Sequence, residues 1–479
     1  MTRRYISRGI AAATAALLAG CASVPHDATH VTQLKPATLG LSNATPVVSD
    51  RWWDSFGDAQ LGRLVDLALA DNPDLAGALA RVRAAQAAIA VQHAGQLPQI
   101  TGDAGLQAER FSEHYIIPPP YGGRVYSVPS LAANLSWDLD LFGRQRALVA
   151  QARSSERAAE LDAAAARLMI ATSVAQSYAS LVRADRQAEI ADRFVATRQQ
   201  ALGYVQSRIK HKLASEFEAR TAETLLAEAQ QAKVRSAQQH DLAVHALAAL
   251  VGRGADFYPQ IATPTLALDR PPAVPAVLPA DLLGRRPDLL AGQARIDAAV
   301  SGRAVARADF MPNVNISALA SLAALGLGQF FTAGSAQVSG GAAIHLPIFE
   351  GGRLRAQYRG AGADLDKAVA DYNASVITAV RDSADAITNV RAADADLVQQ
   401  DKVVAGLRDT VRLDAVRTST GLGSRLDAVD SGFRLLEAEQ NRIDAQANAI
   451  NQRIKLIAAL GGGFDPRVAV AANTKGSGL

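Results

Sequence analysis

Four segments of the chain alternate apolar and polar residues, which is the period of a strand with one apolar and one polar face. They lie at residues 100–109, 130–141, 313–322 and 337–346. Each segment has about ten residues, which is enough for a strand to cross a bilayer. A soluble sheet with one buried face has the same pattern, so the alternation alone leaves both interpretations open.

Two stretches without proline, at residues 143–209 and 352–417, predict long helices. At 1.5 Å per residue, about 67 residues extend roughly 100 Å. Apolar residues recur every seven positions in both stretches, and this spacing predicts left-handed coiled-coil packing. The recurring residues are Val174, Leu181, Ala188, Val195, Leu202 and Ile209 in the first stretch and Val390, Leu397, Val404 and Val411 in the second.

The chain repeats itself at an offset of 214 residues near its start and of 209 residues further on. The Pro-Asp-Leu motif at 73–75 recurs at 287–289, and the Gly-Arg pair at 143–144 recurs at 352–353. Each copy predicts a helix, two strands and two helices, so the fold class is mainly α with a β part, built as a tandem duplication. The predicted organisation is a signal peptide at 1–20, an extended segment at 21–50, a first repeat at 51–262, a proline-rich linker at 263–279, a second repeat at 280–465 and a flexible tail at 466–479.

Cys21 is the only cysteine, and it follows a charged start and a short apolar run that are typical of a secretory signal. Residues 18–21 resemble a bacterial lipobox, which implies cleavage before Cys21, a diacylglycerol on its thiol and an acyl chain on its amine. We expect no cofactor besides this covalent lipid. An ordinary cleaved signal with a chance cysteine is the alternative. Several acyl chains hold a protein on a membrane durably, and Ala22 in place of an aspartate implies the outer membrane by the same resemblance. The anchor favours the membrane interpretation of the strands.

The number of strands predicts that several chains share one barrel. Four strands cannot close, because the smallest single-chain membrane barrels have about eight. An open edge in hydrocarbon would leave backbone groups without partners. Two chains would give about eight strands, whose interior is filled by side chains, whereas three would give about twelve and leave a lumen. The polar faces of the strands favour the lumen.

Composition and motifs give little support to an enzyme or to a nucleic-acid binder. Loss of the signal removes three of the 49 basic residues and leaves 46 against 46 acidic ones, and a neutral chain binds nucleic acid poorly. His240 and His245 are five apart, not the four that put two metal ligands on one helical face. We find no metal-ligand set and no nucleotide-binding loop. The expectation is a passive conduit without enzyme activity, whose energy comes from a partner.

Several motifs occur together in this chain: the lipobox at Cys21, Trp-Asp-Ser-Phe at 53–56, the duplicated Pro-Asp-Leu, the turns at 142–144 and 351–353, and residues 426–430. In combination they resemble the TolC-like outer-membrane factors of tripartite efflux pumps, in particular the NodT-type lipoproteins. The resemblance implies a homotrimer whose twelve-stranded outer-membrane β-barrel is continued by a long periplasmic α-helical barrel. It also implies two partners, a periplasmic adaptor and an inner-membrane pump of the resistance-nodulation-division (RND) class.

By the same resemblance, helix pairs that carry aspartates close the periplasmic end of the tunnel. The matching residues Asp427 and Asp430 are three apart and share a helical face. Threefold symmetry would place six carboxylates around one pore, and such a ring attracts cations. The alternative is a solvated helix N-terminus, where acids are favourable in any case. The closing arginine of the family would stand at Gly423, so Arg425 is the candidate substitute.

Two functions follow from these observations. The first is an outer-membrane channel of a tripartite efflux pump, and the alternative is a lipid-anchored periplasmic coiled-coil scaffold without channel activity. The four alternating segments discriminate between them, because a scaffold has no use for strands of bilayer length.

Overall fold

The computed structural model describes residues 24–25, 30–34, 49–114, 120–269, 272 and 282–464. The predicted signal peptide, Cys21 and the predicted C-terminal tail lie outside the described residues, and so does part of the proline-rich linker. The chain divides into two compact units. The sheet unit contains residues 81–159 and 292–372 with the N-terminal segment up to residue 33, and the helical unit contains residues 34–80, 160–291 and those from 373 onward.

The sheet unit is built around one antiparallel sheet of four strands in the order β1-β2-β3-β4. β1 is Gln99–Arg110, β2 is Val125–Asp138, β3 is Asn313–Ala323 and β4 is Ala336–His345. Strands β2 and β3 pair with each other, so the strands of both repeats form a single sheet. The four alternating segments of the sequence are therefore confirmed as strands.

The register of the sheet separates an apolar face from a polar face. Ile100 lies opposite Leu135, which lies opposite Ala318 on the next strand. On the other face the Asn134 amide donates a hydrogen bond to Asp103 at 2.8 Å. Every residue of β1 and β4 is exposed within the protomer. The two faces predicted from the sequence are thus present, and neither is covered along the outer strands.

Strand β2 begins at Val125 and ends at Asp138, so both of its ends lie before the predicted limits of 130–141. Asp140 has a φ of 46°, in the left-handed region. Its carboxylate accepts the backbone N–H groups of Gln145 at 2.8 Å and Arg146 at 3.0 Å. These bonds turn the chain into the following helix before the alternation in the sequence has ended.

The helices begin and end close to the predicted limits, and the two long ones have 67 residues each. None of the described helices is long and apolar enough to cross a membrane. The helices are α1 Ala59–Asp71, α2 Pro73–Ala94, α3 Arg144–Lys210, α4 Glu216–Leu250, α5 Leu282–Arg285, α6 Pro287–Ala308, α7 Arg353–Ser419 and α8 Arg425–Ala459. Short 3₁₀ helices lie at Trp52–Phe56, Ala255–Gln260, Leu327–Gln329 and Ala333–Ser335.

The core of the helical unit joins α1, α3, α4 and α8 in one cluster of buried apolar side chains. Val174 and Leu181 of the predicted seven-residue repeat belong to this cluster. In the second repeat, Val390 and Val404 are buried on α7. These four positions of the predicted repeat are therefore buried, and the other six are half-buried.

An ion-pair clasp connects three long helices. The Glu439 carboxylate on α8 lies 2.8 Å from Arg193 of α3 and 3.0 Å from Arg408 of α7, and its side chain is only 13% exposed. A half-buried carboxylate is stable when its charge is compensated in good geometry. Two guanidinium groups compensate the charge here, and Arg408 also donates a hydrogen bond to the carboxylate.

Candidate functional site

Two helical hairpins of the helical unit end in turns of the same geometry. Between α3 and α4, Leu213 donates its N–H to the Arg208 carbonyl at 2.8 Å, and between α7 and α8, Leu422 donates to the Arg417 carbonyl at 2.8 Å. Both contacts are the six-residue bond of a Schellman helix end. Lys212 and Gly421 occupy the matching left-handed positions, with φ of 59° and 76°. The duplication seen in the sequence is therefore preserved at the tips, down to individual backbone bonds.

A capping box begins the second helix of each hairpin. In the first, the Glu218 carboxylate accepts the Ser215 N–H at 2.7 Å, and in the second, the Asp427 carboxylate accepts the Ser424 N–H at 3.3 Å. The backbone hydrogen bond from Ser215 lowers the pKa of Glu218, with a further hydrogen bond from the Ser215 hydroxyl and the charge of Arg208 acting in the same direction. Asp427 thus has one structural role already, as the acid of the capping box whose N-cap residue is Ser424.

The structure places Asp427 and Asp430 on α8, close to the tip of the second hairpin, and both are exposed. Asp430 makes an ion pair with Arg434 at 2.9 Å, one turn further along the helix, and its side chain stays 63% exposed. Arg425 contacts neither aspartate within the described residues. Its guanidinium lies 5.9 Å from the ring of Tyr204 on α3. The protomer therefore places both aspartates on one helix, three residues apart, and pairs the candidate arginine with neither of them.

Gly423, which stands where the resemblance expects an arginine, packs closely against the last turn of α7. A Cβ at this position would lie 3.2 Å from the Cβ of Arg417. Any larger side chain at position 423 would push against α7 in this turn. The departure from the family pattern is therefore matched by tighter packing of the hairpin.

An arginine that the sequence did not reveal lies behind Asp430. Arg198 of α3 places its guanidinium 3.3 Å from the centre of the Phe433 ring, and Phe194 stacks on the same ring at 5.8 Å. Burial lowers the pKa of Arg198, while the charges of Glu228 and Asp430 act in the opposite direction. The only signal in the sequence was Phe433 itself, three residues after Asp430 on the same face of the helix.

The two hairpins enclose a cavity of about 280 Å³ between α3, α4 and α8. Most of its lining is apolar, and Phe217, Leu426 and Phe433 contribute to it together with Asp430. Phe217 is largely exposed at the start of α4. The aspartates therefore adjoin an apolar pocket at the hairpin tips.

Cys21 lies outside the described residues, but the chain just after it is placed. Val24 packs against the cluster of Phe310, Leu354 and Tyr358, which lies where α6 ends and α7 begins. Farther on, His30 and Val31 donate their N–H groups to the Asp366 carboxylate at 3.0 and 3.2 Å. The N-terminal segment is thus fixed on the sheet unit, beside the helix ends next to β3 and β4.

A sheet with one apolar and one polar face, continued by paired helices of 67 residues, is the fold of a TolC-like outer-membrane channel protein. The sequence model of the family described as outer membrane efflux protein matches the chain twice, at residues 64–253 and 278–462, and the chain belongs to this family.

Curated relatives agree with this assignment. The chain is 31% identical over 464 residues to the multidrug resistance outer membrane protein MdtP of Shigella flexneri, covering 94% of each chain. It is also 31% identical over 410 residues to the solvent efflux pump outer membrane protein SrpC of Pseudomonas putida, covering 85% of this chain and 86% of SrpC.

Solved structures show the same fold. The outer membrane protein VceC of Vibrio cholerae aligns with a TM-score of 0.79 and 31% identity over 87% of this chain and 100% of VceC. The CmeC outer membrane channel of Campylobacter jejuni aligns with a TM-score of 0.84 at 20% identity, over 95% of this chain and 96% of CmeC. The protein is therefore an outer-membrane efflux channel, and the scaffold alternative is not supported.

Proposed function

We propose that the chain is one protomer of a homotrimer whose three sheets close a twelve-stranded barrel. The observation that carries the proposal is the open sheet: within the described residues, the outer edges of β1 and β4 have no strand beside them. Ile100 and Val338 on the apolar face are 72% and 81% exposed. Unpaired strand edges are not tolerated in hydrocarbon, so β1 of one protomer must pair with β4 of the next.

In this trimer the polar face lines the lumen and the apolar face contacts lipid. The protein has no catalytic task and conducts passively, with transport energy supplied by an inner-membrane pump of the RND class through a periplasmic adaptor. The family resemblance supports these two partners. The relatives MdtP and SrpC are named for multidrug resistance and for solvent efflux. The exposed tips of the two hairpins are the surfaces we assign to the adaptor.

A lipid on Cys21 fits the placement of the N-terminal segment. Only two residues lie between Cys21 and Val24, and three steps of extended chain reach about 10 Å. Val24 packs at the ends of α6 and α7 that adjoin the strands. An acyl anchor at Cys21 therefore falls near the periplasmic surface of the membrane that the strands would cross.

The lipid is tested by the intact mass of the protein purified from membranes. We expect a chain that begins at Cys21 and carries a diacylglycerol and an acyl group, and a Cys21→Ala variant that lacks both. A wild-type chain that is cleaved but carries no lipid would contradict the assignment.

Asp427 and Asp430 form the acidic ring at the periplasmic entrance of the proposed trimer. Their carboxylates are exposed and lie on one helix face, so threefold symmetry surrounds the axis with negative charge. Arg425 has no acid partner within the described protomer, and we assign it to contact the neighbouring protomer across the entrance. Such a ring attracts cations, and its carboxylates repel one another.

Single-channel recording in planar bilayers tests the ring. Wild-type channels in a potassium chloride gradient should show a reversal potential that favours cations, and the double variant Asp427→Asn, Asp430→Asn should shift it towards zero. Asp409→Asn is the matched control, because Asp409 is an exposed acid of α7 paired with Arg412 at 2.9 Å. An unchanged reversal potential in the double variant would contradict the proposal that these carboxylates form a cation-selective ring.

A further inference from the structure

The two turns that connect the sheet to the long helices differ in charge, although they occupy equivalent places in the duplication. At the offset of 209 residues, Asp140 of the first turn corresponds to Phe349 of the second, and Arg146 corresponds to Arg355. Both turns belong to the sheet unit, and both lie where strands end and helices begin. The two turns therefore have different residues, and different charge, at equivalent places in the fold.

The first turn neutralises its own charge. The Asp140 carboxylate accepts the backbone N–H of Arg146 and also a hydrogen bond from its side-chain Nε at 3.2 Å. Arg144 in the same turn makes an ion pair with Asp309 at 2.6 Å. Both arginines of this turn consequently have a carboxylate partner inside the protomer.

The second turn exposes two apolar side chains, as the first turn does at Leu141 and Phe142, but it also carries a free cation. Ile348 and Phe349 are 67% and 89% exposed. Arg353 pairs with Glu350 at 2.9 Å, whereas Arg355 is exposed and has no hydrogen bond or ion pair to any described residue. An acid like Asp140 is missing because Phe349 occupies its place.

The second turn follows β4 directly in the chain. Ile344, near the end of β4, lies on the apolar face of the sheet opposite Val314 and is exposed. Ile348 and Phe349 follow within five residues, and Arg355 comes one turn into α7. The chain thus passes from the lipid-facing surface of a strand, through an exposed aromatic residue, to an unpaired guanidinium. Aromatic residues at the edge of the apolar band and basic residues just beyond it are typical of a membrane interface.

We propose that this second turn binds an anionic phospholipid of the periplasmic leaflet of the outer membrane. Arg355 donates to the phosphate, which the guanidinium fork fits well, and Ile348 and Phe349 contact the acyl chains. The proposal rests on the proposed barrel, whose apolar face contacts lipid, and is independent of the acidic ring at the tips. The bilayer is the occupant because the two exposed apolar side chains directly follow β4 in the chain and the one free charge of the turn is positive.

Lipid retention tests the role of Arg355. The full protein is reconstituted in nanodiscs of phosphatidylethanolamine with phosphatidylglycerol, extracted in mild detergent, and its retained phosphatidylglycerol is counted by native mass spectrometry. Arg355→Gln should retain about fivefold less than wild type, as loss of one membrane-facing basic residue implies. The matched control Arg146→Gln should stay near wild type, because the Arg146 side chain is already bound to Asp140. Equal retention by Arg355→Gln and wild type, or equal losses in both variants, would overturn the proposal.

A second measurement locates the aromatic residue and does not depend on lipid affinity. Phe349→Trp in nanodiscs with brominated acyl chains should show quenching beyond that of wild type, whose own tryptophans include the buried Trp52 and Trp53. Blue-shifted emission without added quenching would mean that a second copy of the chain covers Phe349. That outcome, or emission typical of water, would also overturn the proposal.

Discussion

At the residue scale, one carboxylate holds three parts of the helical unit together. Asp58 is 4% exposed and accepts the N–H groups of Gln60 and Leu61 at the start of α1. It also accepts the Tyr178 hydroxyl of α3 at 2.8 Å and the Thr265 hydroxyl at 2.9 Å. Burial alone would raise the pKa of Asp58, but the hydrogen bonds outweigh burial and lower it.

Asp58→Ala should reduce the free energy of unfolding of the helical unit by about 2–4 kcal/mol, because the variant loses a helix cap and leaves buried donors unsatisfied. Tyr178→Phe removes one of these bonds and should reduce it by about 1 kcal/mol. Urea unfolding in detergent, followed by circular dichroism, measures both. An Asp58→Ala variant as stable as wild type would show that these hydrogen bonds do not stabilise the helical unit.

The same carboxylate predicts a pH dependence with a definite sign. Since the pKa of Asp58 is lower in the folded chain than its ordinary value of about 3.9, its charge stabilises the fold above that value. The contribution is lost as the pH falls through the folded pKa. The difference in unfolding midpoint between wild type and Asp58→Asn should be constant from neutral pH to about pH 5 and should narrow below about pH 4. A difference that grows with acid would contradict the assignment.

At the element scale, the two hairpins share one backbone geometry but differ in how their turns are held. In the first, Arg208 donates to the Leu213 carbonyl at 2.7 Å and pairs with Glu218 at 3.4 Å. The equivalent Arg417 lies 3.9 Å from Asp414 of its own helix instead. The turn between α7 and α8 therefore depends more strongly on its capping box.

Removal of the two caps should expose this difference. Ser424→Ala should open residues 420–424 to amide hydrogen exchange, with a local loss of about 1 kcal/mol. Ser215→Ala is the matched variant, and its turn should exchange less because Arg208 still holds it. Hydrogen exchange with mass spectrometry measures both, and equal protection in the two variants would rule out the role of Arg208.

Much of this architecture can be predicted from periodicity and proline placement. The period of two gives β1, β3 and β4 within a residue or two, and the proline-free stretches give α3 and α7, because both signals are local. The end of β2 was missed because it is decided by the side-chain bonds of Asp140. The contact of Arg198 with Phe433 joins residues more than 200 positions apart, and a single sequence carries no record of such a pairing.

At the scale of the whole molecule, the duplication gives two strands per repeat, and a sheet that is open at both edges. The exposed outer strands and the long paired helices have no separate explanation in a single chain. Both are accounted for if three copies share one barrel, with the polar face inside and the apolar face towards lipid. The open sheet therefore supports the proposal that partner copies complete the barrel.

The shared barrel is the central claim, and the mass of the particle tests it most directly. The lipidated protein is purified from membranes in mild detergent, and light scattering combined with refractive index and absorbance removes the contribution of bound detergent. We predict three protomers per particle. A stable monomer that retains its strands would contradict the shared barrel and the pore that depends on it.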